Sequence, residues 1–595
     1  MQHTREYEMT WDLDVIFPGG SESKEFQSYL ETVSNDMEDL SAMVHAFNPE
    51  DKEGISKLAN IVNKLEKTMK KLRESFAFIS CLSAQNVNDT NASLLVAKRS
   101  SFGAQMGGIR TSLNQKLAAI SEEEWQDLLQ HEQLQEVAFV LNETRTAAKE
   151  MLPAEQEVLI NDLAVDGYNA WGQMYETIVG KMIVEIEENG ETKSYSVGQA
   201  ANKLSSPDAE FRKYVFKQIS KAWEDNADLF GQTLNHLAGF RLQKYKHRGW
   251  GDVLKEPLKI NRMKRETLDV MWNAISNNKK HFVKYLNKKA ELLGNEKLSI
   301  YDISAPLSKT VNNVPYTEGA NFIVDHFGKF SPKMAEFAKM TFEKRWIEAE
   351  DRAGKRPGGF CTSFPDSEQT RVFMTYSGTT SNISTLAHEL GHAYHQHVMN
   401  DVHGMNQGYA MNVAETASTF AEMIVADATV KSAESKEEKL ELLEDKLQRS
   451  IAFFMNIHAR FLFETRFYEE RKQGMVSVKR LNELMIEAQK EAYCDSLDEY
   501  DPNFWSSKLH FHITGTPFYN FPYTFGYLFS LGIYAYAEKS NRSFEDDYIA
   551  LLRDTGRMNV EDLAMKHLNV DLTKPDFWED AIALCVRDVE EFVSL

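Results

Sequence analysis

Through most of its length this chain places Leu, Ile, Met and Phe at three- and four-residue intervals with charged side chains between them. Only 14 prolines in 595 residues interrupt the pattern. Residues 55–82 and 434–471 show it most clearly. That period puts the apolar groups on one face of an α-helix, so the spacing predicts a mostly α protein built from long amphipathic helices. Strand signals are local. Residues 181–196 read as two alternating runs around Asn189-Gly190, a pair suited to a type I′ hairpin turn. A second small sheet is expected over residues 358–376, with a polar turn at Pro365-Asp366-Ser367-Glu368, and a weaker extended stretch over 298–305. The clearest breakpoint follows the hairpin. It predicts an N-terminal helical lobe over residues 1–200 and a second unit over 201–595 that holds every chemically suggestive cluster.

The charge balance narrows the partners. With 67 basic and 89 acidic side chains the net charge is −22, a field that repels phosphate backbones and anionic membranes. Neither nucleic acid nor a membrane is expected as a partner. The first twenty residues hold no basic segment followed by an apolar one, so no secretory leader is expected. No apolar run approaches the ~20 residues needed to cross a bilayer. Cys81, Cys361, Cys494 and Cys585 lie far apart without a CxxC pair, as free thiols in a reducing compartment would. A cytoplasmic protein is expected.

The segment from Thr385 to Tyr394, TLAHELGHAY, carries the chemistry. On a helix His388 and His392 lie one turn apart, with Cβ atoms ~5–6 Å from each other, so both imidazoles can reach one ion. Glu389 then projects toward a water on that ion and can take its proton. Leu386, Ala387, Leu390, Ala393 and Tyr394 are uncharged, which suits a buried helix, and the polar run from Ser377 to Asn382 offers caps at its start. A catalytic zinc needs a third protein ligand and an open position. The HExxHxxGxxH solution fails, because His395 and Val398 occupy the glycine and third-histidine positions.

The third ligand is therefore expected to be a carboxylate on a following helix, over residues 407–430. Glu415 and Glu422 stand seven residues apart in this apolar stretch, with Ser418 between them. Buried glutamates require a cation or hydrogen-bond donors. Glu415 is assigned as the ligand, and Glu422 as the acceptor that fixes a ligating histidine from outside. Farther on, residues 505–536 are crowded with Tyr, Phe and His. Most of these rings are core, but His510 or His512, with Tyr519, Tyr523 and Tyr527, could donate to an oxyanion developing on an attacked carbonyl.

These clusters, in this order, resemble the oligoendopeptidase F branch of the thimet-oligopeptidase-like metallopeptidases. His388-Glu389-Leu390-Gly391-His392 resembles the family's HExGH, and Glu415-Thr-Ala-Ser418 its ExxS element. His510-Phe511 followed by Pro517-Phe-Tyr-Asn-Phe-Pro-Tyr523 is similar to its HF…PFYxYxY stretch, and Trp11-Asp-Leu…Phe17 to its opening segment. The resemblance implies a two-lobed helical fold enclosing a deep channel, with one Zn2+ per chain on His388, His392 and Glu415. It makes Glu389 the general base, and Glu422 and Ser418 supporting groups. His510, which begins the HF pair, is favoured over His512, while Phe521 carries no hydroxyl where the family has a tyrosine. The resemblance further implies that substrate backbone pairs with an edge strand near residues 358–364.

The expected function is zinc-dependent hydrolysis of internal bonds in short oligopeptides. A metallocarboxypeptidase is the nearest alternative, and a non-catalytic peptide-binding helical scaffold the alternative of another class. The oligomeric state, monomer or homo-oligomer, is left open by the sequence.

Overall fold

A computed structural model describes residues 6–51, 54–307, 314–540 and 544–595. Residues 1–5, part of the stretch read for a leader, lie outside them. The architecture is two-lobed and helical, with small sheets. The long periodic stretches form the expected helices. Residues 55–82 fall within the helix Gly54–Gln85, and residues 434–471 form Lys436–Ile451 and Ile457–Arg471 from the N-cap Ser435 onward, joined through a π-helical turn at Ala452–Asn456. Among the described residues no helix is long and apolar enough to cross a membrane. All four cysteines are free.

The hairpin forms as read, with β1 (Ile183–Glu188) antiparallel to β2 (Glu191–Ser196). Asn189 and Gly190 both take positive φ, 54° and 81°, as a type I′ turn requires. The second sheet has three strands in the order β3-β5-β4. β4 (Phe360–Phe364) pairs antiparallel with β5 (Gln369–Phe373), and the two-residue β3 (Ile347–Glu348) adds on the far side in parallel. β4 is thus an edge strand. The extended stretch expected over 298–305 is instead a 3-10 turn, Ile300–Asp302. Asp302 caps back onto the Ser299 N–H and receives the buried Arg212 guanidinium at 2.9 Å, which curls the chain.

Among the described residues apolar burial divides into two large clusters and one small one. One cluster gathers Trp11, Phe26, Phe78, Trp125 and their neighbours through Leu141, and the other runs from Tyr175 to Phe592. The small sheet belongs to both. On β5, Val372 enters the second cluster while the adjacent Phe373 enters the first, because successive strand residues face opposite ways. Phe364 of β4 joins Phe373.

Candidate metal centre

The metal helix runs Thr380–Val398 and begins on a capping box. The Thr379 hydroxyl accepts from the Asn382 N–H, and the Asn382 side chain accepts from Thr379 N–H at 3.3 Å and Ser377 N–H at 2.8 Å. Leu386, Ala387, Leu390 and Ala393 are fully buried, which leaves His388 and His392 facing the cleft between the lobes. Their rings are 4.9 Å apart.

The segment that carries the glutamates departs from the expected continuous helix over 407–430. A short helix, Met411–Ala414, breaks at Glu415, and the main helix starts at Thr416 and runs to Ser432. The break sits where the following aromatic helix, Phe521–Lys539, presses in through Gly526. A Cβ there would lie 2.9 Å from the Asn412 carbonyl oxygen and 3.1 Å from Glu415 Cβ. Gly391 makes the matching approach from the metal helix, since a Cβ would fall 2.4 Å from the Ala417 carbonyl oxygen. Two glycines thus let three helices meet around Glu415. Gly391→Ala would raise helix propensity in isolation, yet overpacking of this kind costs about 1–3 kcal/mol. A lower denaturation midpoint and weaker metal binding are expected, and an unchanged midpoint would mean that the helices part freely.

At this meeting point one atom each from His388, His392 and Glu415 fall within 4.8 Å of one another. Glu415 Oε2 lies 3.2 Å from His388 Nε2 and 3.4 Å from His392 Nε2. The opposite face of His388 is held by Glu422, whose Oε2 is 3.1 Å from Nδ1. A proton on Nδ1 leaves Nε2 free to ligate. Glu422 is in turn paired with Arg449, a residue that the sequence reading did not single out. Ser418 Oγ donates to Glu415 Oε2 at 3.0 Å and to its carbonyl at 3.1 Å. The donor set, two imidazole nitrogens and a carboxylate with an outer acceptor, fits zinc.

Glu389 is buried, and its Oε2 has no hydrogen-bond partner among the described residues. Burial pushes its carboxyl above the usual range, while the two imidazoles pull against that shift. Gly359, just before β4, leaves room for it, since a Cβ there would stand 3.4 Å from Glu389 Oε1. A buried acceptor without a donor, beside the two imidazoles and Glu415, is suited to hold a water and take its proton.

The structure separates the aromatic candidates. His510, Tyr519 and Tyr523 form one group, with ring centroids 5.6 Å apart for His510 and Tyr519, and 5.8 Å for the tyrosines. Tyr523 lines a cavity of about 580 Å3 together with His388 and Glu415. Burial first, then Arg460 and Lys508, hold His510 down at about 4, so at neutral pH it is an uncharged donor. Burial and the Tyr519 hydroxyl keep the Tyr523 phenol protonated. His512 and Tyr527 are not brought to this group. His512 is 1 % exposed, stacked on Tyr175 at 4.0 Å with Thr233 beside Nδ1, and burial pushes it down to about 3. Tyr527 reaches the same cavity wall but spends its hydroxyl on Ser450 at 3.0 Å. In these two rings burial in the core took precedence over exposure to the cleft.

A second cavity, of about 600 Å3, lies between β4 and the helix Gly54–Gln85 of the N-terminal lobe and is floored by His388, Glu389, His392 and Glu415. Tyr409 and Gln396 also line it, joined by a 2.8 Å hydrogen bond. Gln396 stands four residues beyond His392 on the metal helix, a spacing that could have flagged it.

Residues 203–584 match the model of peptidase family M3, and residues 116–183 match that of Oligopeptidase F. The chain is 22 % identical to Oligopeptidase PepF of Bacillus subtilis over 99 % of its own length and 87 % of that protein. It is also 22 % identical to an Oligoendopeptidase F homolog of Lactococcus lactis, covering 99 % and 97 %. Among solved structures, a putative peptidase from Chlamydophila abortus superposes with a TM-score of 0.84 at 17 % identity, over 98 % of each chain. Oligoendopeptidase-F from Enterococcus faecium superposes at 0.69 and 18 % identity, over 96 % and 99 %.

Proposed function

The chain belongs to peptidase family M3, and from that premise we propose that it is a zinc endopeptidase hydrolysing internal bonds of short oligopeptides. The convergence of His388, His392 and Glu415 beside the unpartnered, buried Glu389 carries this reading. His388 Nε2, His392 Nε2 and the Glu415 carboxylate would hold the ion. Zinc supplies Lewis acidity, which polarises a carbonyl and eases the deprotonation of water.

The chain's own groups do the rest. Glu389, buried and without a donor to Oε2, takes the proton of the attacking water and delivers it to the leaving amine. His510, with Tyr519 and Tyr523, donates hydrogen bonds to the oxyanion. Glu422 and Arg449 keep His388 in the ligating tautomer. The free edge of β4 offers backbone groups along which an extended peptide can lie. The N-terminal lobe, residues 1–200, walls the cleft, and residues 201–595 carry the ligands; such a cleft suits an unfolded peptide and excludes a folded domain.

The test is an internally quenched peptide of roughly ten residues, incubated with and without a chelator and read by mass spectrometry. Cleavage between internal residues, lost with chelator and restored by zinc, is expected. Stepwise shortening from the C-terminus would reassign the chain to a carboxypeptidase.

A further inference from the structure

The cavity under β4 carries two arginines that the hydrolytic mechanism does not use. Its floor is the metal-site set, with Glu389 and Glu415 as its acidic members. Its remaining charged lining residues, among those described, are Arg73 and Arg99, both from the N-terminal lobe. Neither forms an ion pair among the described residues. Arg99 is exposed, bonded to Ser80 Oγ at 2.7 Å and lying over the Phe76 ring. Arg73 is half-buried, and among the described residues its one hydrogen bond is to Ser363 Oγ on β4, at 3.4 Å.

Buried arginines elsewhere are held by several acceptors: Arg241 by the Tyr168 and Tyr468 hydroxyls, and Arg371 by the Thr370 and Asp12 carbonyls. Arg212 is paired with Asp302, and Arg248 with Glu157. Withdrawing a guanidinium from water without a counter-charge costs free energy, and burial accordingly lowers the pKa of Arg73. Arg73 lines the same cavity as Tyr409 and Glu415, so its charge stands in the cleft beside the metal site.

We propose that Arg73, backed by Arg99, is a specificity-determining residue that receives a carboxylate of the peptide substrate lying along β4. This rests on the peptidase reading above. The carboxylate is either an acidic side chain or the terminal α-carboxylate; both present two oxygens that a guanidinium fork can bind. The −22 field repels acidic peptides from the surface at large, so a local cation at the cleft is what would admit them.

The test uses the full chain loaded with zinc and quenched peptides identical but for Glu, Gln or Lys at one position, moved along the sequence. Each is made with a free and an amidated C-terminus. Cleavage is read as kcat and KM separately, and binding as fluorescence anisotropy of the same peptides. The wild type is expected to show a KM about tenfold lower for the carboxylate-bearing peptide at one position or terminus. In Arg73→Gln that ratio should fall to near one while the neutral peptide is cleaved as before, and Arg73→Glu should shift preference to lysine. Loss of the preference only on amidation identifies the α-carboxylate; loss only on Glu to Gln identifies the side chain. A preference that survives Arg73→Gln overturns the proposal, as does a variant that slows all peptides equally. A carboxylate preference in anisotropy that depends on Arg73, without cleavage, would sink the peptidase reading and leave the anion site standing.

Discussion

Glu389→Gln is expected to lower kcat by about three orders of magnitude while the metal content stays unchanged, within the 10²–10⁴-fold range of general-base catalysis. Glutamine keeps the shape of the side chain but cannot take a proton from water. The site gives it no way to compensate, because the carboxylate is buried and no neighbour among the described residues donates to Oε2. The ligand atoms belong to other side chains, so zinc binding should survive. Metal stoichiometry measured on the same preparation as the kinetics decides the matter. A fully loaded variant with kcat within tenfold of wild type would remove Glu389 from its role.

Glu415→Ala is expected to abolish cleavage at trace zinc by removing the metal. Glu415 Oε2 faces both imidazoles, 3.2 Å from His388 Nε2 and 3.4 Å from His392 Nε2. Losing an outer partner of a ligand costs about 10–100-fold in metal affinity, so losing the ligand itself should cost more. Competition against a chelator of known affinity measures the change. An affinity equal to wild type would mean that the third donor lies elsewhere.

Much of this site was legible because helical spacing is local. His388 and His392 are four residues apart, and the backbone alone brings their rings together. The hairpin at Asn189-Gly190 was legible for the same reason, since one dipeptide specifies its turn. What stayed hidden depends on partners distant in sequence. The break before Thr416 comes from Gly526 arriving more than a hundred residues later, and the parallel strand β3 is two residues paired to a strand beyond it. His510 and His512 differ by two positions, yet only one of them stacks on Tyr175 in the core. Arg449 gave no motif to notice, because its task is to hold a glutamate that holds a histidine. The stretch over 298–305 carried a strand-like composition that the pairing of Asp302 with Arg212 overrode.

The small sheet beside the metal helix has a thermodynamic consequence. Val372 and Phe373 are neighbours in one strand, yet each is sunk in a different apolar cluster. Pulling the lobes apart at this joint would wet one cluster or the other, at a cost on the order of 1.5–3 kcal/mol for each large side chain exposed. Separation of the two clusters is therefore resisted at this sheet, which stands beside Glu389. Heat meets the same rivet, so at this joint neither lobe can melt without loosening the other.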